Sequence, residues 1–249
     1  MTTDLTGRVA LVTGGTKGLG RGIAVAFRAA GAAVVVCARN TPDPPVEGFV
    51  AADLRDPDAA GAVVAAAVER FGRLDVVVNN AGGAPPAAAA DASPNFIGKV
   101  VGLNLLAPLY VAQAAHRVMS EQPEGGVIIN IGSLSGHRPS PGSSAYGAAK
   151  AGLSNLTATL AMEWAPKVRV NEIVVGYLET EQSGLFYGDE SGIARVAETI
   201  PMKRMAQPSD VAAACLFLAS SDAAFITGAK LAVHGGGEPP PFLSAAAHA

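Results

Sequence analysis

Tyr146 and Lys150 stand four residues apart in a stretch that reads as a helix, 145–164, so their side chains share one face. A phenol has an ordinary pKa near ~10 and is a poor base at neutral pH. An ammonium group beside it stabilises the phenolate and draws that value down. Taken alone, the pair also reads as two surface residues. Ser133 adds to it, because it follows the apolar run 128–131 and begins a polar loop, 133–144, that leads into the helix. A strand end and a helix start can meet over one pocket, where the serine hydroxyl would donate to a substrate oxygen beside the tyrosine.

A second constellation lies near the N-terminus. Residues 9–12, Val-Ala-Leu-Val, suit a strand buried on both faces. Gly14, Gly18 and Gly20 punctuate the turn that follows, and Leu19, Ile23, Ala26 and Phe27 then recur at helical spacing. Glycine permits positive φ and lets a phosphate come close to the backbone. The first amides of such a helix point at the phosphates of a dinucleotide. The spacing is T-G-x-x-x-G-x-G rather than G-x-G-x-x-G, and an ordinary strand-to-helix turn has the same look in isolation.

The rest of the chain has to position these groups. Strand patterns at 33–37, 49–53, 74–78, 126–131, 168–175 and 230–233 alternate with helical ones at 57–71, 94–119, 145–164 and 209–219. That alternation predicts an α/β protein: a single-domain, doubly wound Rossmann fold over 1–249, its seven-stranded sheet mostly parallel and helix-covered on both faces. Asp56 is the expected cap and Gly72 the expected stop of the 57–71 helix, and Ser209 the cap of the last one. Between the second and third strands a Pro-rich loop, 40–45, stands where a crossover helix is usual. Residues 176–208 read as irregular or weakly helical, and 238–249 as a tail extended on a surface.

Bulk properties narrow the function classes. The 249 residues carry a net charge of −3 with no basic run, which argues against nucleic acid as a partner. Cys37 and Cys215 lie in apolar runs and read as buried, reduced thiols. Residues 1–8 are too polar for a signal peptide, and no apolar run reaches the ~18 residues of a membrane span. A cytoplasmic protein without a membrane partner is expected. The histidines at 116, 137, 234 and 248 show no metal-ligand spacing.

Together the elements resemble the short-chain dehydrogenase/reductase family over nearly the whole chain. The matches are Thr13-Gly-Gly-Thr-Lys-Gly-Leu-Gly20, Asn79-Asn-Ala-Gly82, Asn104, Ser133, Tyr146-Gly-Ala-Ala-Lys150, and Thr180 after Gly176. The resemblance implies that Tyr146 is the general acid/base and that Ser133 polarises the carbonyl or hydroxyl. Lys150 would hold the nicotinamide ribose and tune Tyr146, and Asn104 would hold a water in a proton relay. Gly14, Thr16, Lys17, Gly18, Leu19 and Gly20 would cradle the cofactor. Asp53 and Leu54 would contact its adenine, and Asn80, Ala81 and Gly82 would line its path. Leu178, through its main chain, and Thr180 would bind the nicotinamide end. Residues 181–208 would cover the substrate.

Dinucleotide enzymes often place an acid at the end of the second strand, on the adenosine ribose. Aligned on the family pattern, that position is Ala38, followed by Arg39. Arginine holds a 2′-phosphate in its planar fork, and Lys17 supplies a second charge. The expected cofactor is therefore NADP(H), although both charges also read as solvated surface groups. The expected activity is interconversion of a secondary alcohol and a ketone, with a small-molecule substrate that is a 3-oxoacyl thioester or a hydrophobic or cyclic ketone. Leu185, Phe186 and Tyr187 form an apolar cluster that fits such a substrate and fits core packing equally. His137 and Arg138 either touch substrate or are surface loop residues. The resemblance also implies a homodimer or homotetramer built through the 94–119 and 145–164 helices. The alternative from another class is a nucleotide-binding regulatory or scaffold protein without turnover, against which the Ser133, Tyr146 and Lys150 set argues.

Two positions depart from the pattern. Val175 stands where the family usually has proline before the glycine. Glu172 lies inside an apolar strand, and an unpaired buried carboxylate is costly. It needs a partner such as an arginine, a wet cavity or a subunit interface.

Overall fold

A computed structural model describes residues 3–181 and 183–240, with the side chains of 185 and 186 left aside. The strands are β1 (Val9–Thr13), β2 (Ala33–Ala38), β3 (Phe49–Ala51), β4 (Val76–Asn79), β5 (Gly126–Ser133), β6 (Val168–Val175) and β7 (Lys230–Val233). They form one seven-stranded sheet in the order β3-β2-β1-β4-β5-β6-β7, every pairing parallel. The helices are α1 (Gly18–Ala29), α2 (Pro57–Phe71), α3 (Pro94–Val101), α4 (Ala107–Met119), α5 (Ser144–Trp164), α6 (Gly184–Tyr187), α7 (Glu190–Thr199) and α8 (Pro208–Ala219).

β1 is buried from end to end, and its side chains alternate between two cores. Ala10 and Val12 join Ile23 and Phe27 of α1 and Val211 and Cys215 of α8 on one face. Val9 and Leu11 join Val63 and Val64 of α2 and Val111 and Ala115 of α4 on the other. This two-sided burial is why β1 lacks a polar alternation. The strand order reverses between β1 and β4, and open parallel sheets bind ligands outside the strand ends at such a point.

Several local signals act as expected. Asp56 accepts from Asp58 N–H at the start of α2, and Gly72 closes that helix at φ 74°. No helix separates β2 from β3, as the prolines predict.

Other expectations need correction. The last long helix is capped by Gln207 rather than Ser209: Pro208 takes its first position, and the Asp210 carboxylate accepts from Gln207 N–H at 2.8 Å. Within the supposedly irregular 176–208, α7 is a regular ten-residue helix that Asp189 caps through Gly192 N–H. Its weakly apolar, glycine-containing sequence hides its period. The 94–119 segment is continuous but carries a π-helical turn, Gly102–Leu106, between α3 and α4. By length and a mean hydropathy of 1.3, Pro94–Met119 is also apolar enough to cross a membrane, which a search for unbroken apolar runs overlooks. Here Val111, Ala112, Ala115 and Met119 of its α4 half pack into the core against the sheet and α2. Of the expected C-terminal tail, 241–249 lie outside the described residues.

Candidate active site

The glycine turn leaves β1 with Gly14 at φ +65° and enters α1 through Gly18 at φ +53°, a region that disfavours side chains. At Gly20 the constraint is contact: a Cβ there would lie 2.2 Å from the Gly14 carbonyl oxygen. Thr13 ties this turn to the end of β4, its hydroxyl accepting from the N–H groups of Asn80 and Ala81, both at 2.9 Å. The Asn80 amide donates back to Thr13 O at 2.8 Å.

A cleft opens here at the strand ends. Of the residues expected to hold a cofactor, Gly14, Lys17, Gly18, Leu19, Gly20, Arg39, Asp53, Leu54, Asn80, Ala81, Gly82 and Thr180 line it. Thr16 lines the adjoining hollow with Lys17, Ala38 and Arg39. Two exposed cations thus flank one end of the cleft, beside a position where alanine removes the usual acid. The Asp53 carboxylate is held by Arg55, whose hydrogen bonds lower its pKa with further help from Arg39. Leu178 does not line this cleft; its carbonyl accepts from Ser183 Oγ at 3.3 Å and its backbone bridges to Ala206. Leu103, which the sequence did not single out, lines the cleft from the π-helical turn.

Glu181 is a second unforeseen participant. Its carboxylate accepts from Gly18 N–H at 2.8 Å and lies 4.0 Å from Arg21. It is an acid at the positive end of α1, and the Gly18 N–H holds its pKa below the ordinary carboxylate value.

The second constellation meets the first at Gly82. A Cβ at Gly82 would lie 2.8 Å from Asn104 Oδ1 and 3.4 Å from Lys150 Nζ. Lys150, the seventh residue of α5, is buried and donates to Ile131 O at 2.7 Å. Ser133 ends β5, and its hydroxyl lies beside the Tyr146 phenol. Burial raises the Tyr146 pKa, and the Ser133 hydrogen bond opposes the rise. The spacing argument expected a lowered value; desolvation of the phenolate overrides it. Burial likewise lowers Lys150 to about 8, and the charge of Glu172 opposes that fall.

Asn104 is fully buried on the π-helical turn, a rare element found often at functional sites. Its Oδ1 accepts from Gly83 N–H at 2.8 Å, and its amide donates to Gly83 O at 3.0 Å and Val100 O at 2.9 Å. The side chain therefore fastens the 82–83 turn over Lys150. Beyond Tyr146, the Tyr187 ring meets that of Tyr177 edge-on with centroids 6.0 Å apart. Arg138 Nη2 donates to Tyr177 Oη at 3.4 Å, and both residues hold the Glu238 carboxylate. Arg138 is thus engaged with Tyr177 and Glu238, and His137 is an exposed residue of the loop. Of the Leu185, Phe186 and Tyr187 cluster, the Leu185 and Phe186 side chains lie outside the description.

Comparison with known proteins bears on the family and the fold. A family profile described as enoyl-(acyl carrier protein) reductase matches residues 14–238. The 2-dehydro-3-deoxy-D-gluconate 5-dehydrogenase of Escherichia coli (strain K12) is 35% identical over 243 residues, covering 94% of this chain and 96% of that one. Among solved structures, the aldohexose dehydrogenase of Thermoplasma acidophilum superposes with a TM-score of 0.89 at 29% identity, over 95% of this chain and 96% of that one. A short-chain dehydrogenase/reductase of the glucose/ribitol dehydrogenase type from Brucella melitensis does so with a TM-score of 0.85 at 30% identity, over 95% and 98%. The chain belongs to the short-chain dehydrogenase/reductase family. It is an oxidoreductase of that family, whose members use NAD(P)(H).

Proposed function

We propose that this protein is an NADP(H)-dependent oxidoreductase that interconverts a secondary alcohol and a ketone, with Tyr146 as general acid/base. The observation that carries the reading is the meeting at Gly82 of the glycine-lined cleft with buried Lys150, on the helix that also carries Tyr146. The cleft fits a dinucleotide: its floor is glycine backbone, and Lys17 and Arg39 suit a 2′-phosphate that an acid at Ala38 would repel. When bound, the nicotinamide accepts or supplies the hydride. Ser133 donates to the substrate oxygen, and Tyr146 delivers its proton to that oxygen in reduction or takes it in oxidation. Lys150 stabilises charge on the phenol oxygen, and Asn104 holds the turn that carries Gly82.

The groups beyond Tyr146 favour one substrate class. Tyr177 and Arg138 are hydrogen-bonding groups beside the Tyr187 ring. With relatives named for a ketogluconate and for aldohexoses, they favour a polyhydroxylated ring or sugar acid over a 3-oxoacyl thioester or an apolar ketone. A homodimer or homotetramer through the outer face of α5 belongs to the same proposal; Ala148, Ala151 and Thr159 are exposed there beside Met162, which is 86% exposed. So does a cytoplasmic setting, which the two buried, unpaired thiols suit. The test is nicotinamide absorbance against a panel of sugars, sugar acids, cyclic ketones and 3-oxoacyl thioesters, with NADPH and NADH and their oxidised forms. Turnover of polyhydroxylated substrates with the phosphorylated cofactor is expected; turnover confined to NADH or to thioesters contradicts the reading.

A further inference from the structure

One acidic side chain beside this site has no part in the steps above. Glu172 on β6 is fully buried, and neither of its carboxylate oxygens has a hydrogen-bond partner among the described residues. A carboxylate out of water needs compensating charge or hydrogen bonds. The groups that face it are few. His137, at the end of the loop after β5, places Nε2 at 3.6 Å from Glu172 Oε1 and keeps 30% of its side chain exposed. Lys150 on α5, itself buried, is anchored to the Ile131 carbonyl, one residue before the Gly132 against which the carboxylate packs. Asn130, its register partner on β5, uses its amide on Thr157 and its oxygen on Asn79. Lys230, its partner on β7, is exposed. Arg169, on β6 itself, donates to Leu218 O and Ile226 O.

The carboxylate has been given room on the site's own strand. A Cβ at Gly132 would lie 1.9 Å from Glu172 Oε1. Three consecutive residues of β5 thus serve three groups. The Ile131 carbonyl takes the hydrogen bond of Lys150, Gly132 clears space for Glu172, and the Ser133 hydroxyl meets Tyr146.

We propose that Glu172 is a positioning residue of the reaction, a buried counter-charge that keeps Lys150 an ammonium after α5 has packed it out of water. The inference rests on the roles given to Tyr146 and Lys150 above. Burial strips Lys150 of hydration, and in the low-dielectric interior an unscreened carboxylate restores much of what is lost. Without that charge the lysine sheds its proton near neutral pH and stops stabilising the phenolate. His137, part of whose side chain is exposed, stands beside the carboxylate. A purely structural glutamate would fasten the sheet and leave the lysine's titration alone.

The experiment follows Lys150 directly, by NMR titration of protein carrying ¹³Cε-lysine, with the resonance assigned by its loss in Lys150→Arg. Wild type, Glu172→Gln and Glu172→Asp are compared, with thermal melting and NADPH binding as checks of the fold. The midpoint expected for wild-type Lys150 is about 8. In Glu172→Gln the midpoint falls by about one pH unit or more, a tenfold loss of proton affinity, and Glu172→Asp lies between the two. The alkaline limb of kcat/KM moves down in step. An unchanged Lys150 midpoint in folded Glu172→Gln overturns the proposal. Should that variant fail to fold, the aspartate variant decides, and a midpoint equal to wild type overturns it. The NMR readout needs no turnover, so a failure here and a failure of the proposed reaction are separately visible.

Discussion

Lys150 Nζ stands 5.7 Å from the centroid of the Tyr146 ring and donates a 2.7 Å hydrogen bond to the Ile131 carbonyl. The four-residue spacing on α5 puts the charge beside the phenol, while the hydrogen bond aims it toward the strand end that carries Ser133. Burial raises the phenol's pKa, with only the Ser133 hydrogen bond opposing. In the proposed reaction, ionisation of the phenol in the oxidative direction depends on the ammonium staying charged.

Tyr146→Phe removes the proton donor and leaves the ring. Turnover should drop by about 10²- to 10⁴-fold, the usual contribution of a general acid–base group. NADPH affinity, measured by fluorescence titration, should stay close to wild type. A Phe variant with near wild-type kcat removes Tyr146 from the mechanism.

Ala38→Asp puts a negative charge between Arg39 and the cleft. The ratio of kcat/KM for NADPH over NADH should invert. An undiminished preference for NADPH means that Lys17 and Arg39 do not hold the 2′-phosphate.

Glu181→Gln removes an acid from the N-terminal end of α1, where its carboxylate now accepts from Gly18 N–H. A charge at a helix end contributes roughly 0.3–1 kcal/mol, so NADPH should bind about two- to fivefold tighter, less so at high salt. Weaker binding shows instead that Glu181 helps to shape the turn.

Asp75 governs stability at the opposite end of the sheet. Its buried carboxylate accepts from Arg8, from Arg73 and from Val9 N–H at 2.8 Å. Burial pushes its pKa up, and hydrogen bonds from Arg73, Arg8 and Val9 more than reverse this, so the folded value lies below the ordinary 3.8. A depressed carboxylate pKa contributes stability above the unfolded value, and that stability is lost as pH falls through the folded one. Asp75→Asn should therefore cost about 2 kcal/mol at pH 7, below the range for fully buried pairs because both arginines are partly exposed. The gap to wild type in urea denaturation should narrow as pH falls below about 4. A pH-independent difference removes the charge from the explanation.

What was legible in the sequence was local. The glycine turn, the Tyr146–Lys150 spacing, the Asp56 and Gly72 caps and the Pro-rich loop in place of a helix all act within a few residues, where spacing dictates geometry. The π-helical turn was not legible, because the apolar run 94–119 carries no break at Gly102–Leu106. Gln207 was passed over for Ser209 because the helix begins at Pro208 itself. The α7 helix hid behind a polar, glycine-containing sequence.

Long-range facts were beyond reach in a different way. Glu172 was visible as an anomaly, but its neighbour His137 is 35 positions away and comes from the loop after β5 rather than from an arginine. The direction of the Tyr146 shift depends on burial, which arises only when α5 closes on β5. Glu181 reaches Gly18 across 163 residues of chain.

The central claim is that Tyr146, beside Lys150 and Ser133, moves a proton while NADPH supplies a hydride to a carbonyl. Steady-state nicotinamide absorbance, run with wild type and Tyr146→Phe on one panel of sugar-type and cyclic ketones with NADPH and NADH, tests it most directly. The account predicts wild-type turnover that favours NADPH and is lost in the Phe variant while NADPH still binds. Equal rates in the two proteins, or NADPH binding without turnover of any carbonyl, would contradict it.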